Sequence, residues 1–381
     1  MANEVNAIQQ ARQLGQAVWL DYISRAATTS GELADYIARG ISGVTSNPNI
    51  FEKAIVGSDD YDKAIASLAA AGVANGAIYE ALAVADIQAA ADELRPLYES
   101  SSGEHGYVSL EVNPWLAYDT DKTVAEATRL WTLLERPNAM IKVPATSEGI
   151  PAIRRLTAEG INVNATLIFS LDMYRQVMEA YLEGIEARLK RGKEAKSVAS
   201  VASFFLSRID TMVDNRLREL IEDGSVPSLA EMQGKAALAS ARLAYHAFRE
   251  TFTTPHFETL RKNGVRRQRP LWASTGTKNP AYSDVMYVIP LIGPDTVNTM
   301  PTATIQAFLK QNEVKTALEE DAGPSREVIA QLAEVGIDLK EITDQLLTQG
   351  VMAFAEAFDK LILGIEEKKC RLLANKEGSG D

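Results

Sequence analysis

Lys142 stands in Met-Ile-Lys-Val-Pro-Ala-Thr, a primary amine bracketed by Ile141 and Val143 in an otherwise apolar run. Withdrawing an amine from water disfavours its ammonium form, and a neutral amine is a nucleophile toward carbonyls. Two carboxylates occupy comparable runs: Asp21 in Trp-Leu-Asp-Tyr and Glu111 in Val-Ser-Leu-Glu-Val-Asn-Pro. Making and breaking an imine requires an acid/base group near the reacting bond and a means of activating water. Taken singly, each residue also has a plain structural use. The lysine can pair with Asp21 or Glu111 for stability alone, and an aspartate after a strand often caps the next helix.

Amides, hydroxyls and cations follow other apolar runs. Val-Thr-Ser-Asn-Pro gives Thr45 and Asn47, and Ile-Asn-Val-Asn-Ala-Thr-Leu gives Asn164 and Thr166. Ala-Ser-Phe-Phe-Leu-Ser-Arg supplies Ser203 and Arg208, and Ala-Ser-Thr-Gly-Thr-Lys supplies Ser274 and Lys278. Ser203, Arg208 and Lys278 together suit a phosphate, through the bidentate fork of arginine and the mobile point charge of lysine. The competing use of Arg208 is an ion pair with Asp210 or Asp214 on a solvated helix face.

Other chemistries find no residues to carry them. His105, His246 and His256 are scattered without metal-ligand spacing or a serine or cysteine partner. Neither a Walker lysine loop nor a G-x-G-x-x-G turn is present. Cys370 is the single cysteine, which excludes an intrachain disulfide and thiol-rich metal centres and fits a reducing cytoplasm. A net charge of −12 disfavours bulk nucleic acid and anionic membrane surfaces as partners, while leaving room for a locally basic pocket. Arg266, Arg267 and Arg269 read as a solvated turn. The first thirty residues lack the apolar run of a signal peptide, and no stretch of about 18 apolar residues could span a bilayer. The expectation is a soluble, cytoplasmic enzyme with no metal and no organic cofactor. Nothing in the sequence excludes a homo-oligomer.

The elements that must position these residues are short β-branched runs separated by segments with helical spacing. Strands are predicted at 18–21, 43–45, 107–112, 140–143, 163–168, 198–203, 271–273 and 285–289. Several are apolar almost throughout, as expected for parallel strands covered on both faces. Eight alternating units predict a single α/β domain, a (β/α)8 TIM barrel, with a doubly wound open sheet as the runner-up. In a barrel the catalytic groups sit at the C-terminal ends of the strands, where Lys142, both carboxylates and the amides fall. Excess length at 50–105, 210–268 and 291–340 predicts additional helices. Leu347, Val351, Phe354, Phe358, Leu361 and Ile365 mark one face of a C-terminal helix packed on the barrel. Residues 1–374 are read as one catalytic domain and 375–381 as a disordered polar tail.

Thr-Ser-Asn-Pro, Ser-Leu-Glu-Val, Ile-Lys-Val-Pro-Ala-Thr and Asn-Val-Asn-Ala-Thr-Leu-Ile-Phe-Ser occur here in the order in which they occur in transaldolases, and the chain resembles the longer bacterial branch of that family. The resemblance runs from Asp21 to Lys278. It implies a class I aldolase-type barrel of the non-oxidative pentose phosphate pathway. Such an enzyme transfers a dihydroxyacetone unit from sedoheptulose 7-phosphate to glyceraldehyde 3-phosphate, giving erythrose 4-phosphate and fructose 6-phosphate. Its partners would be phosphorylated ketoses and aldoses. By the same resemblance Lys142 is the Schiff-base lysine, Asp21 the general acid/base, and Glu111 with Thr166 the pair that holds the water. Asn47, Asn164 and Thr45 would hold the dihydroxyacetone moiety, and Ser203 and Arg208 the phosphate. Lys278 aligns where many members place a second phosphate-binding arginine, and Ser46 stands where many have threonine. Two alternatives stay open at this level: a fructose-6-phosphate aldolase-like enzyme that releases free dihydroxyacetone, and a non-catalytic barrel that binds sugar phosphates.

Overall fold

Runs such as Ala-Met-Ile-Lys-Val-Pro show no polar alternation because both of their faces are covered: every residue of that strand is buried. The computed structural model describes residues 5–222, 227–318 and 321–377. It contains strands β1 (Gln16–Leu20), β2 (Gly43–Thr45), β3 (Tyr107–Glu111) and β4 (Ala139–Pro144). These continue into β5 (Val163–Ile168), β6 (Ser200–Phe205), β7 (Arg269–Ala273) and β8 (Thr296–Met300). Each pairs in parallel with the next, and β8 returns to β1, closing the barrel. Successive side chains on a strand alternate between faces, so register decides which residues meet. Glu111 lies opposite Lys142, Lys142 opposite Asn164, and Pro144 opposite Thr166.

The eighth strand corrects the sequence reading. Residues 285–289 are apolar and Val285, Tyr287 and Val288 are buried, yet they form turns leading into the 3-10 segment Ile289–Leu291. The strand itself, Thr-Val-Asn-Thr-Met, is half polar. Its polar side chains find partners inside: Thr296 accepts a hydrogen bond from Gln16 and donates to the Gly293 carbonyl, and the Asn298 amide nitrogen donates to the Tyr287 carbonyl. Apolarity marked the covering segment rather than the ladder.

Two further expectations need revision. The C-terminal helix runs Leu339–Glu377, so helical backbone reaches the first three residues of the expected tail, while 378–381 lie outside the described residues. The arginine run at 266–269 is not a solvated turn. Arg266 donates to the carbonyls of Ser102 and Gly103, Arg269 to those of Glu104 and Thr296, and Arg267 pairs with Asp295. These bonds tie the loop before β7 to the segments entering β3 and β8, at the N-terminal end of the barrel.

The added helices surround the C-terminal end, where the site lies. Asn47 caps the helix Pro48–Gly57, with Pro48 supplying a preset first turn. The C-terminal helix packs on that helix and is pinned at both levels: Trp115 donates to Asp359, and Lys368 donates to Asp62 and to the Ser58 carbonyl. Gly364 is required there, because a Cβ would lie 2.5 Å from Val56. Among the described residues no helix is long and apolar enough to cross a membrane.

Candidate active site

The amine of Lys142 lies inside the barrel at the last turns of the strands. It donates to the Ser46 carbonyl at 2.9 Å and stands 3.4 Å from Glu111 Oε2. The two side chains are 6% and 3% exposed, so this is a buried ion pair rather than a surface one. At 3.4 Å it is also longer than an ordinary charged hydrogen bond, and neither Glu111 oxygen has another donor among the described residues. Burial pushes the Glu111 carboxyl above its usual range. The charge of Lys142 opposes this shift, and that of Asp21 adds to it.

Asp21 follows β1 directly and does not cap a helix; Ser24 caps the next one. Its carboxylate accepts from Thr45 Oγ1 at 2.8 Å. Although part of its surface faces the cavity, desolvation raises its pKa, with Lys142, the Thr45 hydrogen bond and Lys278 opposing. A carboxyl held above its ordinary range between an amine and a cavity is placed to exchange protons with a bound molecule.

The amide of Asn164 is oriented from both sides. Its Nδ2 donates to Ser109 Oγ at 3.1 Å, and its Oδ1 accepts from Ser203 Oγ at 2.7 Å. The Asn47 carbonyl oxygen is used as the helix cap on Ile50 N–H. That leaves its Nδ2 as the donor available to the cavity. Thr166 Oγ1 is buried without a hydrogen-bond partner among the described residues. It lies within a register shift of the ladder between Ala165 and Ile168, and Leu167 takes a left-handed φ of +57°. Bulges of this kind re-aim side chains beside functional sites, and a leucine held there marks local strain.

Arg208 occupies the first turn of the helix Ser207–Glu222, its guanidinium 5.8 Å from the centre of the Phe205 ring. Desolvation lowers its pKa, although a guanidinium stays charged. It pairs with neither Asp210 nor Asp214, whose oxygens are engaged elsewhere. Lys278, on the loop after β7, and Lys53, on the helix Pro48–Gly57, form no ion pair among the described residues either.

These groups converge on one cavity of about 300 Å³, a size suited to a small ligand. Of the residues singled out in the sequence, Asp21, Thr45, Asn47, Lys142, Thr166, Ser203, Arg208, Ser274 and Lys278 line it. Glu111 and Asn164 lie beside it, one against Lys142 and the other against Ser203. The sequence reading did not single out Lys53, Asn49, Phe205, Thr299 or Phe354, which also line the cavity. Phe354 belonged to a stripe whose spacing signals packing only, and the other four carry no spacing signal at all. None of His105, His246 and His256 lines the cavity. Among the described residues no three His, Cys, Asp or Glu side chains are grouped to hold a metal ion.

A buried amine with two carboxylates near it can form, protonate and hydrolyse an imine. Cations without counter-charges at the rim can fix an anionic tail. Comparison with known proteins agrees with this chemistry. Residues 18–365 match the family model described as transaldolase/fructose-6-phosphate aldolase. The transaldolase of Frankia alni is 45% identical over 359 residues, covering 94% of this chain and 96% of the relative. That of Trichodesmium erythraeum is 43% identical over 374 residues, covering 96% and 98%. Transaldolase 2 of Streptomyces coelicolor is 44% identical over 373 residues, covering 97% and 99%.

Proposed function

The chain belongs to the transaldolase/fructose-6-phosphate aldolase family, and we propose that Lys142 carries its chemistry as a Schiff base with a ketose phosphate. The protein is an enzyme, a transaldolase acting on sugar phosphates, and moves a three-carbon dihydroxyacetone unit from sedoheptulose 7-phosphate to glyceraldehyde 3-phosphate. The observation that carries the residue assignment is one buried amine that faces Glu111 and interacts electrostatically with Asp21, at a cavity lined by Lys53, Arg208 and Lys278, which form no ion pair among the described residues.

In this reading Lys142 passes its proton to Glu111, the freed amine attacks the ketose carbonyl carbon, and the carbinolamine hydroxyl takes that proton back from Glu111 through water and leaves as water to give an iminium. Asp21 takes the proton from the C4 hydroxyl as the C3–C4 bond breaks, and the electron pair moves onto the iminium as an enamine. The aldose phosphate leaves. The enamine then attacks the aldehyde of the acceptor, Asp21 returns its proton to the new hydroxyl, and water hydrolyses the product imine.

Glu111 and Thr166 serve the water. Glu111 Oε1 and Oε2 and Thr166 Oγ1 are buried without hydrogen-bond partners among the described residues. A water held by them supplies the partners that buried polar groups require. Thr45 aligns Asp21, Asn47 and Asn164 hold the donor hydroxyls, and Arg208 and Lys278 grip the phosphate, joined by Ser203 once its hydrogen leaves Asn164. A cytoplasmic location belongs to the same proposal, supported by the exposed free thiol of Cys370.

The discriminating experiment is an assay of sedoheptulose 7-phosphate with and without glyceraldehyde 3-phosphate. Fructose 6-phosphate should form only with the acceptor. Steady release of free dihydroxyacetone at the same rate without acceptor would make the enzyme a cleaving aldolase instead.

A further inference from the structure

Arg208 and Lys278 stand on different elements, the helix Ser207–Glu222 and the loop 274–288, so their separation depends on what fastens that loop to that helix. Two carboxylates one helical turn apart do so. Asp210 and Asp214 are 1% and 4% exposed. Asp210 Oδ2 accepts from the Tyr287 hydroxyl at 2.8 Å, and Asp214 Oδ2 accepts from the Tyr282 hydroxyl at 2.6 Å. Their remaining oxygens accept from Ala237 N–H and Gly234 N–H, at the start of the helix Ala236–Phe252. The Ser207 and Ser274 hydroxyls, 2.9 Å apart, add a third tie at the root of the loop.

Neither aspartate forms an ion pair among the described residues, and neither lines the cavity. A buried carboxylate without a cation is a costly fastener, so its geometry rather than its charge is what the fold uses. Gly234 points the same way. It has a φ of +70°, and a Cβ there would lie 3.0 Å from the Tyr282 hydroxyl and 2.8 Å from Met286. Glycine is what lets the tyrosine reach Asp214.

We propose that Asp210–Tyr287 and Asp214–Tyr282 form a clasp of positioning residues that sets Lys278 and Ser274 at a fixed span from Arg208, gauged for one phosphate monoester. The clasp touches no substrate. It acts through the two cations and rests on their reading as phosphate ligands. Loosening it frees the loop, so that Lys278 no longer meets the anion held by Arg208, while Lys142 and Glu111 at the reacting end are undisturbed.

The test removes single hydroxyls. Tyr282→Phe and Tyr287→Phe should each raise KM for sedoheptulose 7-phosphate on the order of tenfold, with kcat nearly unchanged. Competitive inhibition by inorganic phosphate should weaken by a similar factor, and turnover of unphosphorylated dihydroxyacetone as donor should stay as it was. Arg208→Ala is assayed alongside. If Arg208→Ala affects both donors equally, the phosphate reading beneath the proposal is wrong. If it discriminates between donors while both tyrosine variants leave KM and phosphate inhibition unchanged, or weaken both donors alike, the clasp is a fold anchor only and the proposal is overturned. Tyr282 is partly exposed, and its variant keeps the test decisive should Tyr287→Phe fail to fold.

Discussion

The ring of Phe354 is centred 5.9 Å from the amine of Lys142, although the two residues lie on the C-terminal helix and on β4. One turn earlier Gly350 faces Leu167 and Arg208: a Cβ there would lie 3.1 Å from the leucine and 3.6 Å from the guanidinium. A single face of that helix therefore roofs the cavity from the amine of Lys142 to the guanidinium of Arg208.

That roof bears on transfer against loss. An enamine that meets water is protonated, and hydrolysis then frees dihydroxyacetone. Phe354→Ala removes an apolar surface that is 3% exposed and should cost about 3–5 kcal/mol of stability. In assays with both substrates, free dihydroxyacetone should rise as a fraction of turnover. Phe354→Leu should fold well and show a smaller rise. An unchanged product ratio in both variants would remove water exclusion from the role of Phe354.

Asp210 gives a prediction about pH. Desolvation raises its carboxyl from 3.8 to about 6; the Ala237 N–H and Tyr287 O–H oppose the rise, and the charge of Asp214 adds to it. The folded state thus holds this proton more tightly than the unfolded one. Its linked stability is complete below pH 3.8 and is lost as pH rises through about 6. At about 1.4 kcal/mol per unit, the loss is ~3 kcal/mol. Asp210→Asn cannot titrate, so the stability of the wild type relative to this variant should fall between about pH 4 and pH 7 in urea unfolding. A constant difference would mean that Asp210 ionises normally in the folded protein.

The phosphate end is tested at Arg208. Its guanidinium has no carboxylate partner among the described residues, so Arg208→Ala strands no buried acid there. Losing a charged hydrogen bond to the phosphate should cost on the order of 1.5–3 kcal/mol in binding. The loss with unphosphorylated dihydroxyacetone should be much smaller. Equal losses with both donors would make Arg208 structural.

The two carboxylates should fail at different steps. Asp21→Ala should leave imine formation intact and lower carbon–carbon cleavage by about 10²–10⁴-fold, the usual weight of a general acid/base. Glu111→Ala should slow the appearance of the imine itself, because its proposed partner is water. Rapid-quench borohydride trapping separates the two, and stalling of both variants at one step would refute this division of labour.

Polar residues inside apolar runs are what made the site legible. Lys142, Glu111 and Asp21 each break a pattern that burial would otherwise keep apolar, and closure of the barrel then follows from alternation of strands and helices. The run at 285–289 misled because a covering segment can be more apolar than the strand it covers, and Thr296 and Asn298 find partners, Gln16 on β1 and the Tyr287 carbonyl, that strand composition does not announce. Phe354 was invisible as a site residue since an aromatic at helical spacing reads as core. The bulge at Leu167 has no local signal either, as leucine is not a residue that favours positive φ. Tyr282 and Tyr287 lie 68 and 77 residues from the aspartates they hold, a pairing set by the fold alone.

The reading as a whole stands on Lys142. Its amine is buried beside Glu111 and donates to a backbone carbonyl, so it is held in place and shielded from bulk water. Attack on a ketose carbonyl gives an iminium that borohydride reduces to a stable secondary amine. Treating the enzyme with fructose 6-phosphate and borohydride should therefore inactivate it irreversibly. Peptide mapping should place a three-carbon adduct on Met140-Ile141-Lys142-Val143-Pro144. Lys142→Arg should neither label nor turn over, because a guanidinium stays protonated and has no nucleophilic lone pair to offer. Arginine also keeps a positive charge beside Glu111, so loss of activity in that variant cannot be ascribed to an unpaired buried carboxylate. An adduct on any other lysine, or full activity in Lys142→Arg, would sink the mechanism.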